Sequence, residues 1–197
     1  MKDEPVKIIK YKGKEIKIYQ DDSCDSPDDW GDENVFLVGY HRDFEVRRDN
    51  IISKDKAIEI FGRKDWNGYW IFGLEAYIHS GVVLALSYEG NYPDRRWDVS
   101  QLGLAFVSKK ETRLRKTAKE RAENLVQIWD QYLSGDVYGY DTDRDSCWGY
   151  YGMEDCIEEA KFVVDYQTQQ EIKGHTKLLK KYIKNKVPIM HRRSLCV

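Results

Sequence analysis

The segment from Ser108 to Gly135 constrains the fold most, because it predicts a long helix with a single apolar face. Its apolar residues recur every three or four positions, a spacing that places them on one side of a helix. They are Leu114, Ala118, Ala122, Leu125, Trp129 and Tyr132. Ser108 and Glu111 have the spacing of a capping box, and Gly135 is a typical helix stop. Such a helix must bury its stripe against another layer of structure.

Predicted strands supply that layer. Runs of β-prone residues separated by short polar or glycine-containing segments indicate three hairpins. Their strands are Val6–Tyr11 with Glu15–Gln20, Leu74–Ile78 with Val82–Ser87, and Asp136–Tyr140 with Cys147–Tyr151. The apolar runs Val35–His41 and Gly103–Val107 predict two further core strands, the first of them covered on both faces.

Three more helices complete the prediction. Ser53 is a typical N-cap for a short helix that has Ala57, Ile58 and Phe61 on its apolar side. Two helices, Glu154–Lys173 and Thr176–Lys186, are expected near the C-terminus. The fold class is therefore α+β, an antiparallel or mixed sheet of hairpins packed by a long amphipathic helix and two C-terminal helices. We expect a single α+β domain over residues 1–172 and a basic helix and tail over 173–197.

Composition excludes several classes of protein. No apolar run approaches the 18 or so residues of a membrane span, and the N-terminus lacks the pattern of a secretory signal. The four cysteines include no Cys-x-x-Cys pair, which favours reduced thiols in a cytoplasm over a disulfide framework or a zinc site. Neither a phosphate-binding glycine loop nor a nucleophile elbow is present, so we expect neither a cofactor nor an enzyme.

Three aspartates at alternate positions, Asp141, Asp143 and Asp145, match the first ligand positions of an EF-hand loop. The remainder does not match, since Ser146 takes the place of the required glycine and Gly152 that of the glutamate. We interpret Asp141 to Ser146 as a turn held by its own polar side chains, with a weak divalent-ion site as the alternative. Alternation along the flanking strands predicts one face that carries Tyr138, Tyr140, Trp148 and Tyr150.

An acidic segment offers a second route to metal chemistry. Seven acids and no base lie between positions 21 and 33, namely Asp21, Asp22, Asp25, Asp28, Asp29, Asp32 and Glu33. Carboxylates can hold the ions of a two-metal nuclease, but those normally come from rigid strands spread through a chain. A metal-dependent enzyme that acts on nucleic acid is therefore the alternative to a binding protein.

Basic residues mark the predicted contact surface. The start of the long helix carries Lys109, Lys110, Arg113, Arg115, Lys116, Lys119 and Arg121 against only Glu111 and Glu120. Cations near a helix N-terminus oppose the helix dipole, so stability alone does not favour them there. An anionic partner or helical salt pairs would compensate. We predict partner-binding residues at Lys109, Lys110, Arg113, Arg115, Lys116 and Lys119, and in the tail at Arg192 and Arg193.

A family resemblance gives this surface a context. The stretches that carry it are DSPDDW (25–30), HSG (79–81), WDVSQLGLAFVSKKE (97–111), WDQYLSGDVYGY (129–140) and DSCWGYYG (145–152). With them the chain resembles a family of small, mostly uncharacterised proteins encoded by bacteriophages, prophages and mobile elements. The resemblance implies no reaction and no catalytic residues. It implies an accessory protein in the host cytoplasm that inhibits a host defence nucleoprotein, such as a CRISPR nuclease or a restriction enzyme, through protein or nucleic-acid contact.

Overall fold

The computed structural model describes residues 4–29, 33–40, 52–79, 81–90, 92 and 98–186. Within these ranges the fold is α+β, as predicted, with three helices and two antiparallel sheets. The strands are β1 Lys7–Tyr11, β2 Lys14–Gln20, β3 Val35–Gly39, β4 Asp65–Trp66, β5 Tyr69–Ile78, β6 Val82–Leu86, β7 Val99–Ser108, β8 Val137–Thr142 and β9 Ser146–Tyr151. The helices are α1 Lys54–Ile60, α2 Arg115–Ser134 and α3 Met153–Lys186.

The chain divides into two compact units. The terminal unit combines Met1–Tyr19 with Tyr138–Val197, and the central unit is Gln20–Val137. We expected one domain that ended at residue 172, but that boundary falls inside the continuous helix α3. The predicted tail after residue 186, with Arg192 and Arg193, lies outside the described residues.

The terminal unit is a four-stranded sheet, in the order β1-β2-β8-β9, with α3 packed on one face. The predicted first hairpin is confirmed, and its turn places Lys12 and Gly13 at φ 49° and 77°. Two consecutive residues with positive φ form a hairpin turn whose twist matches that of the flanking strands. The core buries Ile16 and Ile18 of β2 against Ala160 and other α3 residues.

The central unit has a five-stranded sheet with helices on both faces. Its order is β3-β7-β5-β4, with β6 also paired to β5, which confirms the second predicted hairpin. On one face Leu37 of β3 packs with Ala122 of α2, and on the other Phe36 packs with Ile60 of α1. Burial on both faces was the expectation for β3, and it is confirmed.

The predicted capping box at Ser108 is wrong. Ser108 is the last residue of β7, where it pairs with Tyr69, and its backbone N–H donates to the Asn34 carbonyl at 2.7 Å. The competing β-ladder therefore holds Ser108 in an extended strand. Helix α2 begins only at Arg115, after an N-cap at Leu114 that has no side-chain hydrogen bond. Gly135 ends it at φ 72°, as predicted.

Two apolar stripes differ in detail from the prediction. In α2 the buried residues are Ala118, Ala122, Val126 and Trp129, while Leu114 is 69% exposed because it precedes the helix. In α1 the buried pair is Ala57 and Ile60, which lie three positions apart on one side. Ile58 and Phe61 were assigned to the core, yet they are 63% and 42% exposed.

The two predicted C-terminal helices are one helix of 34 residues, α3. The prediction ended the first helix near Gly174, but a lone glycine lowers helix stability by only about 1 kcal/mol. The residues around it are strong helix formers, and the hydroxyl of Thr176 donates to the Ile172 carbonyl at 2.8 Å across the glycine. The longest helix is therefore α3 rather than α2.

Candidate functional site

Lys109, the first predicted contact residue, forms its contacts within the fold. Its ammonium lies 2.6 Å from a carboxylate oxygen of Asp65 and 4.3 Å from the centre of the Trp70 ring. The hydrogen bond from Lys109 lowers the pKa of Asp65 below its usual value. This ion pair joins the end of β7 to β4, and it occupies the charge that we assigned to a partner.

Arg115 serves the fold as well. Its guanidinium donates to the carbonyl of Lys64 at 2.6 Å and to that of Ile71 at 3.1 Å, and it lies 4.4 Å from the centre of the Phe72 ring. Burial lowers the pKa of Arg115, while the neighbouring Asp65 opposes that shift. The first residue of α2 is therefore bound to the β4–β5 region, and two of its five N–H donors are used within the fold.

Further along α2, salt bridges hold two more of the bases. Lys119 lies 2.8 Å from Glu89 and 3.3 Å from Glu123, and the hydrogen bond to Glu89 is the main reason that the pKa of Lys119 is raised. Arg121 approaches Glu111 at 3.8 Å. These salt bridges neutralise the two bases within the fold, which is the alternative to an anionic partner that the sequence left open.

Of the predicted contact residues that the structure describes, three remain available: Lys110, Arg113 and Lys116, which we call the basic surface. All three are exposed, and none forms an ion pair with any residue that the structure describes. They occupy the loop before α2 and its second residue, where the first turn contains no acidic side chain and no side-chain cap. The basic surface therefore adds positive charge at the positive end of the helix dipole.

Carboxylates of the acidic segment support turns. Asp21 accepts a hydrogen bond from the backbone N–H of Ser23 at 3.1 Å, and Asp29 accepts one from that of Ser26 at 3.0 Å. Asp32 lies outside the described residues. Nowhere in the described part of the chain do three His, Cys, Asp or Glu side chains converge in a way that could hold a metal ion.

The aspartate-rich loop is a tight turn between β8 and β9. The backbone N–H and the hydroxyl of Thr142 both donate to the Asp145 carbonyl at 2.8 Å, and the Asp145 N–H donates to the Thr142 hydroxyl at 3.1 Å. A polar side chain thus holds the turn, as predicted, although it belongs to a threonine. Arg144 forms a salt bridge to Glu171 of α3.

Trp148 lies on the face opposite to the one predicted. The Tyr140 and Tyr150 rings lie 5.7 Å apart, tilted by 36°, on the side of the sheet that packs against α3. Trp148 instead lies on Gly139, with its ring 5.8 Å from that of Tyr19. Gly149 has φ 84°, which no alternation rule anticipates, and this residue breaks the alternation between Trp148 and Tyr150. Trp148 is consequently 50% exposed rather than core filler.

Sequence reasoning missed one apolar groove in the central unit. It has a volume of about 500 Å³ and lies between α1 and β7. Its lining includes Ile58, Phe61, Tyr88, Leu102 and Leu104. Ile58 and Phe61 are the two residues that the periodicity assigned to the core, whereas α1 buries Ala57 and Ile60 instead.

The stretches that carry the family resemblance have structural roles where they are described. Trp129 is buried, and the carboxylate of Asp130 accepts the Leu84 backbone N–H at 2.6 Å, which joins α2 to β6. Burial raises the pKa of Asp130. Gly139 leaves room for Trp148, since a Cβ there would approach the indole ring to 2.3 Å. Trp129, Asp130 and Gly139 therefore have structural roles within the motif.

No protein-family model, curated protein or solved structure matches this chain. Among the described residues, no helix combines the length and the apolar character needed to cross a membrane.

Proposed function

We propose that the chain is a phage-encoded accessory protein that inhibits a host defence nucleoprotein, such as a CRISPR nuclease, by binding it through the basic surface. The observation that carries this proposal is the position of Lys110, Arg113 and Lys116 at the uncapped start of α2, where they are exposed and have no acidic partner among the described residues. A cation in the first turn, such as Lys116, costs a helix about 0.3–1 kcal/mol, a cost that an anionic partner would reverse.

The proposed contact surface contains fewer basic residues than the sequence indicated. Lys109, Arg115 and Lys119 support the fold through Asp65, backbone carbonyls and Glu89. Their charges are therefore not counted in the contact. A phosphate backbone or an acidic protein face would meet a patch of about three charges, small enough that additional contacts must contribute to the affinity.

The competing proposal is a metal-dependent enzyme acting on nucleic acid through the acidic segment. It has less support, because Asp21 and Asp29 already accept backbone hydrogen bonds within their own turns. The described residues also offer no convergent set of metal ligands. We therefore rank binding above catalysis.

A pull-down with the tagged protein from host lysate, with and without nuclease treatment, tests the proposal. Wild type should retain a host nucleoprotein, and a Lys110→Gln, Arg113→Gln, Lys116→Gln variant should lose it. The matched control is Lys7→Gln, Lys10→Gln, Lys54→Gln, which removes three other exposed bases. Equal retention by both variants would refute the assignment of the surface, and recovery of neither protein nor nucleic acid by wild type would refute the function.

The salt dependence of binding then identifies the anionic group. If the contact is to nucleic acid, the slope of log affinity against log salt should fall by about one for each basic residue removed from the surface. A different result would be capture that survives nuclease treatment and a salt slope that the three substitutions leave unchanged. That result would indicate that other residues of the chain bind an acidic protein face.

A further inference from the structure

The apolar groove of the central unit, which we call the α1–β7 groove, has the size and the lining of a site for a small molecule. Its volume of about 500 Å³ lies within the range of about 300–1,000 Å³ that is usual for such sites. Three aromatic residues, Tyr40, Phe61 and Tyr88, line it together with aliphatic side chains of α1 and β7. Two aromatic rings in contact gain more than their buried area alone provides, so this lining favours an aromatic ligand.

Lys54 gives the groove a charge of one sign. Of the described residues that line the groove, Lys54 alone has a charged side chain. It is exposed, and it forms no ion pair with any residue that the structure describes. The amide nitrogen of Gln101 is used within the fold, since it donates to the carbonyls of Leu74 and Gly103 at 2.7 and 3.0 Å. A ligand in the groove therefore meets one available charge, and that charge is positive.

A strained turn holds Tyr88 at the groove. The backbone N–H of Glu89 donates to the Leu86 carbonyl at 3.0 Å, and Tyr88, the third residue of this turn, has φ 70°. Glycine or asparagine is usual at such a position, because a Cβ is unfavourable at positive φ. The buried carboxylate of Glu75 accepts the Tyr88 N–H at 3.0 Å, and this hydrogen bond helps to fix the turn.

Folding stability does not account for a tyrosine at position 88. Tyr88 is 85% exposed, so its ring gains little from burial, while its backbone carries the strain of a positive φ. Strained residues of this kind are concentrated at active sites and ligand clamps, where the strain holds a side chain in position. At Tyr88 the side chain held in this way is an aromatic ring that lines the groove.

We propose that the α1–β7 groove binds a small aromatic acid. The ring of the ligand packs on the apolar lining and on Tyr88, and its anionic group lies at Lys54, the charge that complements it. The site does not involve the basic surface. Loss of one therefore leaves the other intact, which keeps Lys54→Gln valid in the control for the pull-down.

Fluorescence titration of the full chain tests this proposal with two probes, 1-anilinonaphthalene-8-sulfonate and N-phenyl-1-naphthylamine, which is the same molecule without the sulfonate. For ligands of this size we expect one site with a Kd of about 10–100 µM. Lys54→Gln should weaken binding of the sulfonate about two- to fivefold, because an exposed ion pair is weak, and should leave the uncharged probe unchanged. The matched control, Lys64→Gln, removes an exposed lysine that does not line the groove, and both probes should bind it as they bind wild type.

Tyr88→Gly separates a role in ligand binding from a role in folding. It should weaken both probes at least about threefold, yet melt no lower than wild type, because glycine relieves the strain at positive φ. Tyr88→Phe keeps the ring and should bind both probes as wild type does. The proposal would be overturned if neither probe binds wild type, if Lys54→Gln binds the sulfonate equally well, or if Tyr88→Gly retains binding or melts at a lower temperature.

Discussion

Arg113 and Arg115 stand two positions apart, and we predict that they have opposite roles. Replacing Arg115 with alanine removes two charged hydrogen bonds, to the carbonyls of Lys64 and Ile71, together with the contact to the Phe72 ring. Hydrogen bonds to charged groups contribute about 1.5–3 kcal/mol each when buried, and the ring contact about 0.5–1 kcal/mol. Because the guanidinium is only partly buried, we expect Arg115→Ala to lower the free energy of unfolding by about 2–4 kcal/mol.

Urea unfolding followed by tryptophan fluorescence measures this loss. With a slope near 2 kcal/mol per molar urea, the midpoint should fall by about 1–2 M. Arg113→Ala is the control, and since Arg113 is exposed and has no partner among the described residues, the midpoint should move by no more than about 0.25 M. In the pull-down the order should reverse, with Arg113→Ala losing more bound partner per folded molecule. Equal destabilisation by the two variants would refute the reasoning.

Three further predictions concern the terminal unit. Gly139→Ala should destabilise the terminal unit and shift Trp148 emission to the red, since the added methyl would displace the indole. Adding Trp148→Ala to this variant should recover much of the lost stability in unfolding experiments. Burial raises the pKa of Cys156 to about 12, so at pH 8 iodoacetamide should label exposed Cys147 and leave Cys156 unmodified until urea is added. An unfolded thiol ionises near pH 8.5–9, so Cys156 should stabilise the folded state fully below that pH, and its contribution to the free energy of unfolding should be lost towards pH 12. A Cys156→Ala variant whose stability declines equally at alkaline pH would contradict this. Calcium, magnesium or manganese should leave the melting temperature unchanged in both wild type and Asp143→Ala, and a metal-dependent rise abolished by the substitution would restore the metal hypothesis.

Turn chemistry made the hairpins predictable from sequence. Gly13 in the first hairpin, like Gly135 at the end of α2, lies where the backbone needs a positive φ, and glycine is the residue type that adopts it readily. The same local reasoning failed at Ser108, because the pairing of β7 with both β3 and β5 decides that residue's conformation. It failed again at Trp148, where Gly149 reverses the face that alternation assigns.

The basic site was only partly predictable, for a similar reason. The sequence shows the density of charge around Lys109, but the partner of Lys109 is Asp65, and that of Lys119 is Glu89. Such pairs depend on which strands become neighbours, and spacing within one helix cannot reveal them. The sequence likewise does not show where α3 stops packing on the sheet, since that point is marked only by the contacts of Glu171 with Lys14 and Arg144.

Strands β2 and β8 are neighbours in one sheet, yet the whole central unit separates them in the chain. A ribosome adds about 5–20 residues per second, so the first hairpin must wait about 6 to 24 seconds before β8 has been made. During that wait one side of β2 is an open template for other nascent chains. The lysines at positions 7, 10, 14 and 17 should reduce aggregation during this time, because charged side chains on an unpaired hairpin disfavour pairing with other chains before the sheet is complete.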